Sequence, residues 1–188
     1  MNSSASIDLI RSRIRDIPDF PKPGILFKDI TPVWQDQQTF AACMNVFSDH
    51  YSKKNLSSVD SKSKHDLIVG IESRGFVVGS AFAAVSSMGF VPIRKKGKLP
   101  HEVESYVYEL EYGTDCVEIH KDAVGKEQNV LIMDDLLATG GTMLASIELL
   151  KRIGANVVGC AVVIDLPFLG GRRKIEDAGY EVFSILDY

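Results

Sequence analysis

"LIMDDLLATGGT", residues 131–142, runs three apolar residues into two adjacent aspartates, then into a turn that ends in two glycines between threonines. Extended backward it becomes "NVLIM" at 129–133, a short apolar run of the kind that forms a buried strand. Forward, residues 142–153 place Met143, Ile147 and Leu150 at helical spacing, with Gly154 as terminator. "NVVGCAVVI" at 156–164 is the next strand, so the stretch is the hinge of a strand–helix–strand unit. The same grammar occurs upstream. "LIVGI" at 67–71 leads through "ESRG" into an alanine-rich helix over about 76–88, then into "FVPI" at 90–93. "YEVFSIL" is a short final strand. Apolar runs separated by helices describe an α/β fold with a central, mostly parallel sheet flanked by helices and right-handed crossovers.

Residues outside this frame read differently. Ile7, Ile10 and Ile14 mark a short amphipathic helix over 5–16. "PDFPKPGILFKDITP", residues 18–32, has four prolines and a glycine that break any regular element, yet Phe20, Ile25, Leu26 and Phe27 make it an ordered, packed arm. A helix is expected over 37–51, then a solvated serine- and lysine-rich loop over 52–66. Residues 104–120 alternate in parts, with Tyr106, Tyr108, Leu110 and Tyr112 on one side, then Cys116 and Glu118 against Val117 and Ile119. That pattern predicts a two-stranded hairpin or lid turning at Gly113. There is no internal repeat, and 188 residues are read as a single domain, 1–188.

Bulk properties narrow the function. At 45% hydrophobic, 24% charged and a net charge of -4, the chain is an ordinary globular protein with no broad nucleic-acid surface. A small anionic ligand held by a few local cations stays compatible. Cys43, Cys116 and Cys160 are odd in number and widely spaced, which predicts buried free thiols rather than a zinc knuckle or disulfide scaffold. His50, His65, His101 and His120 have no ligand spacing. No segment approaches the ~20 apolar residues of a membrane span, and the N-terminal stretch has no signal-like apolar run, so a cytoplasmic protein is expected.

In a parallel sheet, ligands gather at the carboxyl ends of the strands, where Asp134 and Asp135 sit directly after "VLIM". Gly140 and Gly141 let backbone curl around a ligand, the first amides of the next helix point outward, and Thr139 and Thr142 add hydroxyls. These are the parts of a phosphate cradle. Alone, the aspartates would repel a phosphate. They make sense if the ligand also carries a sugar diol and a hydrated divalent metal. Neither a Walker A lysine nor a GxGxxG fingerprint is present. "GIESRGF" at 70–76 repeats the strand, charged turn and helix, with amides near Glu72, Ser73 and Arg74 poised as an anion nest and Arg74 as a planar donor fork. "RKKGKLP" at 94–100 adds four cations in an acidic chain, a patch sized for a pyrophosphate rather than a nucleic-acid track.

Taken together, "VLIMDDLLATGGTM", "GIESRGF", "RKKGKLP", "LEYG" and "DFPKPGILFKDITP" resemble the type I phosphoribosyltransferases, and within them the adenine-specific branch, over roughly residues 5–188. The resemblance implies that fold, with an N-terminal hood at 18–32 and a flexible catalytic lid at 100–120. It implies transfer of the 5-phosphoribosyl group from phosphoribosyl diphosphate to adenine, giving AMP and pyrophosphate, with Mg2+ as cofactor and a homodimer as the assembly. By the same likeness Ala138, Thr139, Gly140, Gly141 and Thr142 hold the 5-phosphate, while Asp134 and Asp135 face the ribose hydroxyls and water around magnesium. Glu72, Ser73 and Arg74 form the pyrophosphate turn, which in the family contains a non-proline cis peptide. Arg94 and Lys98 look like pyrophosphate-binding cations, Arg94 reaching a neighbouring subunit's site. Phe27 would stack on the purine, the Leu26 backbone would read its 6-amino edge, and Leu136 would pack on the other face. Glu111 matches the family's acid near N7 or N9, Tyr112 would close over the pyrophosphate side, and Arg74 is counted with them in the chemistry. Asp165 stands where the family commonly has a glutamate.

Two other readings compete. One is a sister transferase acting on hypoxanthine, guanine or xanthine, which the arm "PGILFKD" argues against. The other is a non-catalytic sensor of phosphoribosyl diphosphate. It needs an additional DNA-binding segment that these residues are not expected to hold, and it has no use for Glu111.

Overall fold

In the computed structural model, residues 3–57, 67–109 and 113–188 are described. The chain divides into two compact units, Met1–Lys53 and Lys54–Tyr188. The first holds α1 (Ser3–Arg13), β1 (Arg15–Pro18), β2 (Leu26–Asp29), α2 (Thr31–Gln35) and the start of α3 (Gln37–Ser57). Ile10, Val33 and Phe47 are fully buried in it.

Three expectations are corrected. The first helix stops at Arg13 rather than 16, because the chain turns into a strand at Arg15. The arm at 18–32 is not free of regular structure: β1 and β2 form an antiparallel ribbon with Ile17 opposite Phe27 and Pro18 opposite Leu26. The prolines allow this because of where they fall. Pro18 ends a strand, Pro21 and Pro23 lie in the connection, and Pro32 occupies the first turn of α2, where an N–H has no helical partner. Cross-strand pairs Arg15–Asp29 and Lys28–Asp16, both 2.7 Å, fix the register. α3 starts at an Asp36 cap, whose Oδ1 accepts the Thr39 amide at 2.9 Å. It continues to Ser57 instead of ending at 51, since the lysines there favour helix as readily as loop. The rest of the expected loop, 58–66, lies outside the described residues.

The second unit is built on a seven-stranded sheet. Its strands are β3 (Leu67–Ile71), β4 (Gly89–Lys95), β5 (Val103–Glu109), β6 (Thr114–His120), β7 (Asn129–Leu137), β8 (Asn156–Asp165) and β9 (Val182–Asp187), in the order β5-β6-β4-β3-β7-β8-β9. β4, β3, β7, β8 and β9 are parallel, and the β5–β6 hairpin joins antiparallel at the β4 edge. Three helices connect the parallel strands: α4 (Arg74–Val85), α5 (Gly141–Arg152) and α6 (Gly171–Asp177).

Strand periodicity sorts the helices onto two faces. Val69, Ile71, Val130 and Ile132 share one core cluster with Met143, Ile147 and Leu150 of α5 and Ile175 of α6. The alternate positions Ile68, Leu131 and Met133 are equally buried and face the other way, toward α4, whose Gly79 approaches the Ile68 side chain. Each fully buried aliphatic side chain contributes about 1.5–3 kcal/mol. The predicted alternation over 116–119 does not appear: all four residues are buried, Val117 and Ile119 in the core cluster and Glu118 hydrogen-bonded to the Gly97 amide.

One boundary error matters for function. The strand predicted to end at Met133 continues to Leu137, with Asp134 paired to Val162 and Leu136 to Ile164 of β8. The aspartates are therefore inside the strand. Cys43, Cys116 and Cys160 are free and buried, as expected, and burial pushes the Cys43 and Cys160 thiols up to about 12. Among the described residues, no helix is long and apolar enough to cross a membrane.

Candidate active site

Chain direction opens the site. From β3 the chain crosses outward to β4, and from β7 it crosses the opposite way to β8. The carboxyl ends of β3 and β7 are thus a topological switch point, where the following loops part and leave a crevice. A cleft of about 230 Å³ lies there, lined by Ile71 at the end of β3, Glu72 and Arg74 just after it, Lys95 of β4, and Asp134, Leu136 and residues 137–143 of β7 and its loop.

Because side chains alternate along a strand, Asp134 and Asp135 leave opposite faces of β7. Asp134 lines the cleft with Leu136, and its Oδ1 accepts the Asp135 amide at 2.9 Å. Burial, and then the Asp135 charge, push its carboxyl well above the usual carboxylate range. Asp135 is 2% exposed and receives Arg74 Nε at 2.9 Å. Burial raises its pKa too, against the pull of the Arg74 guanidinium. Room for this arrangement comes from Gly75: a Cβ there would stand 2.7 Å from the Met133 carbonyl and 2.9 Å from Asp134 Oδ1.

The turn after β3 contains the Glu72–Ser73 peptide in the cis form. Ser73 is exposed and precedes the first turn of α4. Glu72 is committed to holding backbone and cation in place. It accepts Arg94 Nε at 3.2 Å and the other arm of the guanidinium at 3.3 Å, plus the Lys95 amide at 2.8 Å. Burial opposes its charge, but the Arg94 and Lys95 hydrogen bonds hold its pKa below the ordinary value. Arg94 also donates to the Lys98 carbonyl at 3.3 Å, while the Lys98 side chain is exposed. The buried Glu118 closes the basic turn from beneath by accepting the Gly97 amide at 2.7 Å.

Lys95, which nothing in the run "RKKGK" sets apart, is the cation of that run that lines the cleft. Its Nζ contacts Asp115 and approaches the Tyr108 hydroxyl at 3.3 Å. Burial works against the ammonium, but the bonds to Asp115 and Tyr108 raise its pKa. Tyr108 in turn meets Asp115 at 3.0 Å and the Thr142 hydroxyl at 3.0 Å. The hairpin is therefore joined to the glycine loop through one shared hydroxyl. A signal existed: the buried Ile93 lies two residues before Lys95, so strand period places Lys95 on the core side and Arg94 opposite.

The glycine loop is built as a cradle. Gly140 sits at φ 80° as the cap of α5, so the amides that follow have no helical acceptors. Ala138, Thr139, Gly140, Gly141 and Thr142 all border the cleft. Among the described residues, the remaining expected ones are not part of that lining. Leu26 and Phe27 belong to the first unit, where Phe27 packs edge-on against Phe20 at 5.1 Å and Leu26 is exposed. Arg94 and Lys98 border the basic turn but do not line the cleft. Glu111 and Tyr112 lie outside the described residues.

No group of three or more His, Cys, Asp and Glu able to hold a metal occurs among the described residues. A protein-built metal cage does not fit. A hydrated magnesium ion shared with a ligand does, because Asp134 presents to the cleft a carboxylate whose charge burial penalises and a cation would relieve.

Comparison with known proteins agrees with this geometry. The family model described as "Phosphoribosyl transferase domain" matches residues 37–186. The adenine phosphoribosyltransferase of Bordetella avium (strain 197N) is 47% identical over 181 residues, 96% of this chain and 94% of that protein. Among solved structures, adenine phosphoribosyltransferase from Saccharomyces cerevisiae, complexed with an imino-altritol bisphosphate and adenine, superposes with a TM-score of 0.90 at 38% identity, covering 97% of this chain and 99% of that one. The enzyme from Thermoanaerobacter pseudethanolicus gives a TM-score of 0.84 at 46% identity, with 97% and 99% covered.

The raised pKa of Asp134 has a signed consequence. A carboxyl with a folded pKa above its unfolded one favours the fold while protonated, and that contribution is lost as pH rises through the folded value. Asp134→Asn is therefore expected to raise the melting temperature of the ligand-free protein at pH 7–8, with the gap narrowing toward pH ~4, where both forms are neutral. Melting curves across that range check it, and a gap that widens on acidification contradicts it.

Proposed function

The chain belongs to the adenine phosphoribosyltransferases, and from that premise we propose how its residues divide the reaction. It transfers the 5-phosphoribosyl group from phosphoribosyl diphosphate to adenine, giving AMP and pyrophosphate, a step of purine salvage on the type I phosphoribosyltransferase fold. The observation that carries the residue assignment is the cleft at the β3/β7 switch, which sets an amide-lined loop beside the half-buried carboxyl of Asp134.

In this reading Ala138, Thr139, Gly140, Gly141 and Thr142 hold the 5-phosphate, supported by the unpaired amides at the α5 start. Asp134 accepts the ribose hydroxyls, and Asp135 keeps Arg74 aimed across the cleft. Glu72, Ser73 and Arg74 form the diphosphate turn, and Lys95, Arg94 and Lys98 supply positive charge on that side. Asp134 would hold magnesium through water, and the ion when bound would offset charge on the departing diphosphate, whereas Asp135, paired with Arg74 away from the cleft, would not reach it. For base recognition, Phe27 is the ring contact, the Leu26 backbone is the acceptor for the 6-amino group, and Leu136 offers an apolar contact.

The chemistry follows from the bond that breaks. As diphosphate leaves, C1′ becomes cationic, so an incoming purine nitrogen needs little activation, and exclusion of water decides between transfer and hydrolysis. Fixed charge near the ribose favours that cationic state without reorganisation. Glu111 exchanges the proton at the imidazole edge of adenine, and the 100–120 hairpin with Tyr112 closes over the reacting groups. We place the enzyme as a cytoplasmic homodimer. Free buried thiols suit a reducing compartment, and α4 leaves Val77 and Val85 exposed, 36% and 58%, beside exposed Ala84 on an apolar helix.

With magnesium and phosphoribosyl diphosphate, adenine should give AMP while hypoxanthine gives no more than about 10⁻⁴ of that rate, the discrimination expected when a site hydrogen-bonds the distinguishing group. Product identification across a nucleobase panel checks this, and IMP as the main product would refute it. Glu111→Ala should lower kcat by about 10²–10⁴ while phosphoribosyl diphosphate binding stays within a few-fold, the range for loss of a general acid–base group. Unchanged turnover removes Glu111 from the chemistry. Light scattering on the purified protein should return twice the protomer mass, and a monomer would remove the dimer from this reading.

A further inference from the structure

The segment "DLPFLGGRRKI", residues 165–175, takes no part in the reaction as assigned above, yet it lies against the glycine loop. A Cβ on Gly171 would stand 2.2 Å from the Ala138 carbonyl oxygen and 2.8 Å from the Gly140 nitrogen, both backbone atoms. In the other direction, a Cβ on Gly140 would stand 3.0 Å from the Gly171 carbonyl oxygen. Two backbones are thus in direct contact with no side chain between them. One residue along, Arg172 locks this corner in place. It donates to Asp165, fully buried at the end of β8, at 2.6 Å, to the Val182 carbonyl at 2.8 Å, and to the Ser184 hydroxyl. Lys174 then donates to the Thr139 carbonyl at 3.1 Å. On the β7 side, Leu137 pairs with Asp165 and its carbonyl accepts the Leu166 amide at 3.0 Å.

We propose that Gly171, Arg172 and Lys174 are positioning residues for the 5-phosphate loop. They set its width from behind, the guanidinium fork anchoring α6 to β8 and β9 and the bare Gly171 backbone forming the wall on which residues 138–140 rest. None of the three touches substrate. This inference rests on the assignment of residues 138–142 to the 5-phosphate. It separates ligands by chemistry: those carrying the 5-phosphate, AMP and phosphoribosyl diphosphate, depend on the wall, whereas free pyrophosphate does not.

The test measures KM for both substrates, kcat, melting temperature, and calorimetric binding of AMP and of pyrophosphate. For Gly171→Ala and Arg172→Lys, AMP affinity should fall and phosphoribosyl diphosphate KM rise by about tenfold, with pyrophosphate affinity within about twofold, since sub-ångström misplacement of a preorganised site costs this order. Lys174→Ala, an exposed helical change that tolerates folding, should give the same pattern at about threefold and decides the matter if the other two do not fold. Arg173→Ala, which removes only an exposed pair with Asp177, should leave every constant unchanged. Equal weakening of AMP and pyrophosphate, or unchanged AMP binding in folded variants, overturns the proposal. Thr142→Val separates the two levels. If it leaves AMP binding intact, the 5-phosphate assignment itself is wrong. If it weakens AMP while the wall variants do not, only the positioning role falls.

Discussion

The central constraint is electrostatic: two adjacent carboxyl groups occupy the end of a buried central strand, where ionised groups are poorly solvated. The surroundings divide the problem. Strand alternation sends the two groups to opposite faces of the sheet, Arg74 takes one, and a backbone amide takes part of the other. Gly75 surrenders its side chain so that α4 can approach closely enough for Arg74 to reach. Asp134 accepts the Asp135 amide and lines the cleft, and burial with the Asp135 charge disfavours its ionised form, at a cost to the ligand-free fold.

The rest of the site is a set of braces that meet at backbone atoms. Glu72 ties the turn after β3 to the end of β4, Glu118 holds the basic turn, and Tyr108 with Asp115 carries the hairpin to Thr142. Partly buried charges here each find a partner, which is what the interior demands of them. The described part of the site is therefore held by strands and short turns.

Legibility followed range. β3 was read from sequence residue for residue, because an all-apolar five-residue run between polar flanks has few other fates. The glycine loop was equally plain, since all its parts are contiguous. β7 was cut short at Met133 because aspartates look like a turn, whereas pairing with β8 carries the strand through them. The ribbon of β1 and β2 was missed because prolines discourage strands on average, and only their positions show that these do not. Lys95, Tyr108 and Asp115 were not singled out for the site because their contacts join residues far apart in the chain. The contact of Gly171 with the glycine loop is hidden for the same reason: nothing in "GGRRK" tells which backbone it will touch.

The buried thiols offer one more consequence. Alkylating reagents attack thiolates, and neither Cys43 nor Cys160 can furnish one at neutral pH while enclosed. One lies in each compact unit. Trapping by such a reagent therefore acts as a pair of internal clocks, each starting when its own unit opens, so that the order in which the two parts of the chain come undone can be timed without adding a probe.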